Sequence, residues 1–330
     1  MGWHVRADDT RELLVAAGAN LQRCTLGADP IDIPLTSLPA ADQTRTEVEK
    51  VHFLSLSGGT NTTFIYDGVN QNLKWDGTNL TKMGLPNGPT PAIPSNIAGA
   101  IPEGVRNYIT TLVSPYHEGD TSTTPRVVTQ VGTGGKRFAS PVQGVDYDDP
   151  QVTKWRLWRT VAGGAAYRFV GEADIGTAID DAVSDTTLGG NDPVEQLVNA
   201  APQASIVAMV EHRGQLIAAM ADDPSILRFS NFDPDYMVPE GWPRNYVQPV
   251  AHGDGDVVTA LRSFNEWAVI FKNNSTYALT GETFAEYKIQ PLLVGGTRMG
   301  IGCAFPGSIL QIENSVFFAA RDGIYRIDRS

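Results

Sequence analysis

An all-β fold assembled from repeated strand units is what this 330-residue sequence predicts, and three observations predict it. Short apolar strands recur at Leu13–Ala17, Thr63–Asp67, Leu216–Met220, Ala268–Lys272 and Val316–Ala320. Each is followed by a mixed strand, after turn residues such as Gly18–Asn20, Asp222–Pro224, Asn273–Ser275 or Arg321–Gly323. The anchors Leu13, Thr63, Leu216, Ala268 and Val316 lie 50, 153, 52 and 48 residues apart. A period near fifty in a chain of strands points to the blades of a β-propeller. The one long gap spans about three such periods, and its content decides the architecture.

Taken in order, each unit carries strand alternation and turn chemistry. In the second, Val51–Ser57 ends at Gly58-Gly59, the next strand ends at Asp67-Gly68, and Leu73–Trp75 runs into Asp76-Gly77. Gly and Asp at those points favour turns between short strands. Four prolines, at 86, 89, 91 and 94, then punctuate Gly84–Ile101, which reads as an extended linker unsuited to a central strand.

Beyond it come strand-like Asn107–Ser114, Pro125–Val131, Lys154–Thr160 and Ala166–Gly171, closed by the acidic turn Asp180–Asp185. Trp155, Leu157 and Arg159 alternate with Arg156, Trp158 and Thr160, the pattern of a strand with one packed face. About 90–100 residues is a usual size for a β-sandwich. The expected organisation is therefore propeller blades in residues 1–100, an inserted fibronectin-like sandwich in 101–195, and further blades in 196–330. The competing reading replaces the insertion with two degenerate blades and counts seven instead of about five. A short connecting helix is expected at Asp192–Ala200, with Asp192 as N-cap and Pro193 at its first position. Closure of the ring would need Trp3–Arg6 to complete the last blade, or else the ring stays open.

The formal net charge of −12 excludes a protein that grips nucleic acid through clustered cations, although an acidic wall would let DNA slide past. Two cysteines, Cys24 and Cys303, do not make a disulfide scaffold and read as buried thiols. No apolar run reaches the roughly 20 residues of a membrane span, so no membrane insertion is expected.

Candidate chemistry is sparse. Five histidines at 4, 52, 117, 212 and 252 are scattered without metal-ligand spacing, and His52 and His212 read as packing residues. The segment His252–Asp256 offers oxygen ligands but lacks the further carboxylates of a calcium loop, so it reads as a turn. Asp67–Asn72 and the Asn-x-Thr sequences at Asn61, Asn79 and Asn274 read the same way. No nucleophile elbow, phosphate loop or repeated Asp box occurs. The expectation is a protein that is not an enzyme, with no catalytic residues, cofactor or metal. The best lead is the proline-bounded loop Phe232–Tyr246, whose aromatic residues Phe232, Tyr236, Trp242 and Tyr246 are candidate interface anchors. Packing back over a small core is the alternative for the same side chains.

Three runs, His212–Asp235, Gly253–Glu282 and Val316–Asp328, resemble blade strands of virion proteins from tailed bacteriophages. Asn107–Pro125 and Trp155–Glu172 resemble the fibronectin-type sandwich that such proteins often contain. The resemblance covers about two thirds of the chain. It implies a tail component, nozzle-like or hub-like, made in the host cytoplasm and located in the virion. It also implies a homo-oligomeric ring that passes DNA without specific binding and docks an adaptor, fibre or spike protein. The alternative from another class is a carbohydrate-binding or glycoside-cleaving propeller that recognises the host surface.

Overall fold

The computed structural model describes all residues except 6–10, 25–29, 36–37, 39–43, 49, 57–61, 116, 192, 194–199, 232–238, 295–296, 299 and 329–330. The chain is all-β and is divided among small antiparallel sheets. The first sheet is a meander of β1 (Gly2–Val5), β2 (Arg11–Ala17), β3 (Asn20–Cys24) and β4 (Ile31–Asp32). The second is built the same way from β5 (His52–Ser55), β6 (Thr63–Tyr66), β7 (Leu73–Trp75) and β8 (Leu80–Lys82). In β1 the register runs Trp3 against Leu13, so the amino-terminal strand belongs to the first sheet and not to the last. Of the two alternatives for the final unit, completion by the amino-terminal strand is therefore not the one adopted, because a short separation in the chain makes the local pairing cheaper than a distant one.

Seven strands follow: β9 (Ser95–Ile101), β10 (Gly104–Val113), β11 (Arg126–Gln130), β12 (Gly134–Phe138), β13 (Lys154–Thr160), β14 (Tyr167–Asp174) and β15 (Ile179–Asp181). They form a four-stranded sheet, β11-β10-β13-β14, and a three-stranded sheet, β15-β12-β9. One core lies between them, with Tyr108, Leu112, Trp155 and Leu157 from the first meeting Phe138 and Ile179 from the second. A single helical turn, α1 (Asp185–Leu188), follows, started by Ser184, whose side chain accepts from the Thr187 N–H.

Two strand expectations change here. Ser95–Ile101, expected within the linker, is an edge strand, which the prolines before it tolerate because an edge needs fewer ladder bonds. β13 is packed on both faces near its end. The register shifts between Leu157 and Trp158 against β14, Trp158 meets Phe169 edge-on at 5.2 Å, and Arg159 is fully buried. The helix expected at Asp192–Ala200 lies almost wholly outside the described residues.

Two more four-stranded meanders follow, of β16 (Ile206–His212), β17 (Gln215–Met220), β18 (Asp223–Phe229) and β19 (Val247–Pro249), then β20 (Val258–Phe264), β21 (Trp267–Lys272), β22 (Thr276–Thr280) and β23 (Lys288–Pro291). A small hairpin of β24 (Leu293–Val294) and β25 (Thr297–Arg298) leads to a last three-stranded sheet. That sheet is β26 (Leu310–Ile312), β27 (Ser315–Ala319) and β28 (Ile324–Asp328).

All five repeated apolar strands of the sequence are therefore second strands of meanders, β2, β6, β17, β21 and β27. Their two faces explain their apolar character. In β6, Ile65 packs against Leu14 and Leu21 of the first meander, while Phe64 and Tyr66 pack against Met209, Leu216 and Ala218 of the third. In β17, Leu216, Ala218 and Met220 face the second meander, and Ile217 and Ala219 face the fourth. In β21, Ala268 and Ile270 face the third meander, and Val269 and Phe271 meet Val316 and Phe318 of the last sheet. Consecutive meanders thus stack face to face in chain order. Each large side chain taken from water stabilises the stack by about 1.5–3 kcal/mol.

Candidate functional site

Two of the four candidate interface aromatics, Phe232 and Tyr236, lie outside the described residues. The other two are not surface anchors. Trp242 is 1% exposed and belongs to the core between the second and third meanders, with its backbone N–H donating to the Ala200 carbonyl. Tyr246 is half-buried and stacks on Phe284, with ring centroids 4.3 Å apart and planes 9° apart. Both side chains pack against residues of the third meander, which takes their apolar ring surface out of water. Packing, the alternative reading of these residues, is what Trp242 and Tyr246 do.

The same loop supplies a buried polar node that sequence reasoning missed. Phe64 pairs with Lys74 across β6 and β7, so Lys74 projects from the face that packs on the third meander. Its ammonium donates to Glu240 Oε1 at 2.5 Å and to Gln151 Oε1 at 3.1 Å. Glu240 Oε2 accepts from the Gly84 N–H at 2.9 Å. Gln151 Nε2 donates to the Gly84 carbonyl and to Asp149 Oδ2. Four stretches of chain meet there: β7, the start of the proline segment, the turn before β13 and the loop before β19. Burial raises the Asp149 carboxyl above its usual range, against hydrogen bonds from Gln151.

A second charged network holds the β9–β15 region together. Arg159 contacts Asp181 at 2.5 Å and donates to Asp185 at 2.6 Å, while Arg106 makes a two-pronged contact with Asp185 at 3.0 and 2.8 Å. Tyr108 donates to Asp181 at 2.9 Å. Burial alone would raise the Asp185 carboxyl, but hydrogen bonds from Arg106, the Ala162 N–H and Arg159 hold it down at about 2. Charges this deeply placed persist only when paired and hydrogen-bonded.

The acidic turns read as turns. Asp256 accepts from the Asn273 and Asn274 N–H groups and the Ser275 hydroxyl, which fixes the reversal between β21 and β22. Asp254 pairs with buried Lys272 at 2.7 Å. Asp67 accepts from the Val69 and Asn70 N–H groups around Gly68, whose φ is +80°. Among the described residues no group of three or more His, Cys, Asp or Glu side chains could hold a metal.

Ser225, His252 and Asp223 come together, but not as a nucleophilic triad. The Ser225 hydroxyl lies 2.7 Å from His252 Nδ1 and donates to Asp223 Oδ1 at 2.6 Å, and Asp223 Oδ2 is 3.6 Å from that same ring nitrogen. A triad needs the carboxylate on the nitrogen opposite the nucleophile. Cys303 is buried, and burial raises its thiol, whereas Cys24 is only half-buried.

A cleft of about 170 Å³ opens where the first strands β5, β16 and β20 converge, closed on one side by Pro306 and Ile309. His52 lies there, stacked on Tyr66 at 5.1 Å and 8°, so its packing role is correct for one face of the ring. His212 is buried elsewhere, with Nδ1 2.8 Å from the Ser263 hydroxyl.

The fold and sites define an all-β chain of stacked antiparallel meanders with a separate two-sheet region between the second and third. No protein-family model matches it, and no curated protein matches it.

Proposed function

We propose that this chain is a structural protein of the tail of a tailed-bacteriophage particle. In this reading the stacked meanders are a β-propeller of about five blades, and the β9–β15 region is an inserted fibronectin-type sandwich. Copies assemble as a ring that conducts DNA and docks other tail proteins, an adaptor, a fibre or a spike.

The observation that carries the reading is the unbroken stack of five meanders joined by four apolar interfaces. Such a stack makes a stiff wall, and stiff walls arranged by cyclic symmetry make a tube. The Lys74, Glu240 and Gln151 node fixes the inserted region to that wall instead of leaving it on a loose tether. The last sheet also leaves Leu310, Ile312 and Ile324 at 54%, 51% and 81% exposure, an apolar strip suited to a neighbouring copy. Recognition of a glycan by Trp242 loses support, since its indole is enclosed.

Purified particles test the proposal. Densitometry and electron microscopy are expected to find the protein in fixed, ring-like stoichiometry with the other tail components. Its absence from particles, or turnover of a glycan by the isolated chain, would overturn it.

A further inference from the structure

We propose that the cleft between β5, β16 and β20 binds a phosphate group, held by Arg262 and His52. This does not depend on the tail reading. It follows from which polar atoms in the cleft are already committed.

The walls are largely apolar, with Leu54, Val207, Met209 and Leu261 among the lining residues. Two hydroxyls lie in the lining, and both are taken. Tyr66 donates to the Met209 carbonyl at 3.2 Å, and Thr259 donates to the carbonyls of Phe271 and Cys303. What remains is cationic or basic. Arg262 lines the cleft, is exposed, and has no ion pair or hydrogen bond among the described residues. His52 is half-buried with its plane fixed by Tyr66, which leaves the ring edge to meet a ligand.

Among the described residues no carboxylate lines the cleft, although acidic residues outnumber basic ones 37 to 25 in the chain. Lys50 lies close enough to act on His52, and its ammonium is 3.1 Å from where a Cβ on Gly307 would stand, beside Pro306 at the rim. A cleft with largely apolar walls whose uncommitted groups are a guanidinium fork and an imidazole selects a compact oxyanion. Arginine matches phosphate with two parallel donors. The volume suits a single phosphate group, whether free or carried on a nucleic-acid backbone.

The imidazole reports on occupancy. Burial lowers the His52 pKa, Lys50 and the α-amino group lower it further, and Asp67 opposes them. A bound phosphate adds negative charge beside the ring and must raise that pKa. The full chain is titrated with inorganic phosphate at constant ionic strength, and in parallel with a short single-stranded oligothymidine, while the His52 ring signals are followed by NMR.

Saturable binding that raises the His52 pKa, weakened at least tenfold in Arg262→Gln and partly restored in Arg262→Lys, is expected. Saturation by free phosphate assigns a small ligand, and saturation by the oligonucleotide alone assigns a strand's backbone; both support the site. His52→Gln, which keeps the fold if its far-UV spectrum is unchanged, is expected to weaken binding as well. Failure of both probes to saturate, or equal binding by Arg262→Gln, overturns the proposal.

Discussion

Lys74 and Glu240 are 166 positions apart in the chain, yet their side chains meet at 2.5 Å with 1% and 0% of their surfaces exposed. Each charge is hydrogen-bonded beyond the pair, Lys74 to Gln151 and Glu240 to the Gly84 N–H. Removing one partner of such a pair leaves the other buried and uncompensated, which typically costs about 3–5 kcal/mol. Lys74→Met and Glu240→Gln are each expected to lower the unfolding free energy measured in urea by that order. The double variant should lose less than the sum of the two. Single-variant losses below about 1 kcal/mol would show that the node is not a joint.

Trp242 is expected to behave as core. Trp242→Ala should destabilise the chain by about 3–5 kcal/mol, the usual cost of an emptied aromatic site. Tyr246→Ala, which removes a half-buried ring stacked on Phe284, should cost less. Thermal unfolding separates the two. An interface role for Trp242 would instead leave the melting of the isolated chain unchanged.

Asp185 sets an acid limit on the β9–β15 region. Its folded pKa, about 2, lies below the ordinary value of 3.8, so its stabilising effect is complete above the ordinary value. That effect is lost as pH falls from the ordinary value through the folded one. Asp185→Asn should therefore be clearly less stable than the parent at pH 7, with the gap closing as both approach pH 2. A gap that is independent of pH would show that the carboxylate charge is not what Arg106 and Arg159 require.

Gly88 stands where a β-carbon would fall 1.9 Å from the Thr110 carbonyl oxygen. Its own N–H donates to the Asp120 carbonyl at 2.9 Å, so the backbone cannot back away without breaking that bond. Gly88→Ala is expected to cost about 1–3 kcal/mol, as overpacking does. Denaturant unfolding measures the loss, and amide hydrogen exchange in β10 and β13 would locate it in the β9–β15 region.

The repeated strands were legible because each must satisfy two neighbours at once. A second strand buried on both faces carries no polar alternation, so Leu216–Met220 and Ala268–Lys272 stand out as short apolar bursts. Their turns were legible for the same local reason, since Asp67, Asp76 and Asp256 bond to backbone groups only a few positions away or across one hairpin. β9 was hidden by the prolines that precede it. β12 was hidden because it opens on two glycines, of which Gly135 stands where a side chain would clash with the Ala98 and Asp181 carbonyl oxygens and Gly134 where it would meet the Gln130 side chain.

By itself the sequence determined the strand content and the positions of five repeated units, both of which follow from patterns a few residues long. Tertiary structure decided the rest. It decided for core over surface anchor at Trp242, joined Lys74 to Glu240 across 166 positions, and left Arg262 and His52 uncommitted in one cleft. A side chain's partner depends on which distant strand stacks against its own, and that is fixed by how whole sheets bury their faces, not by the residues beside it.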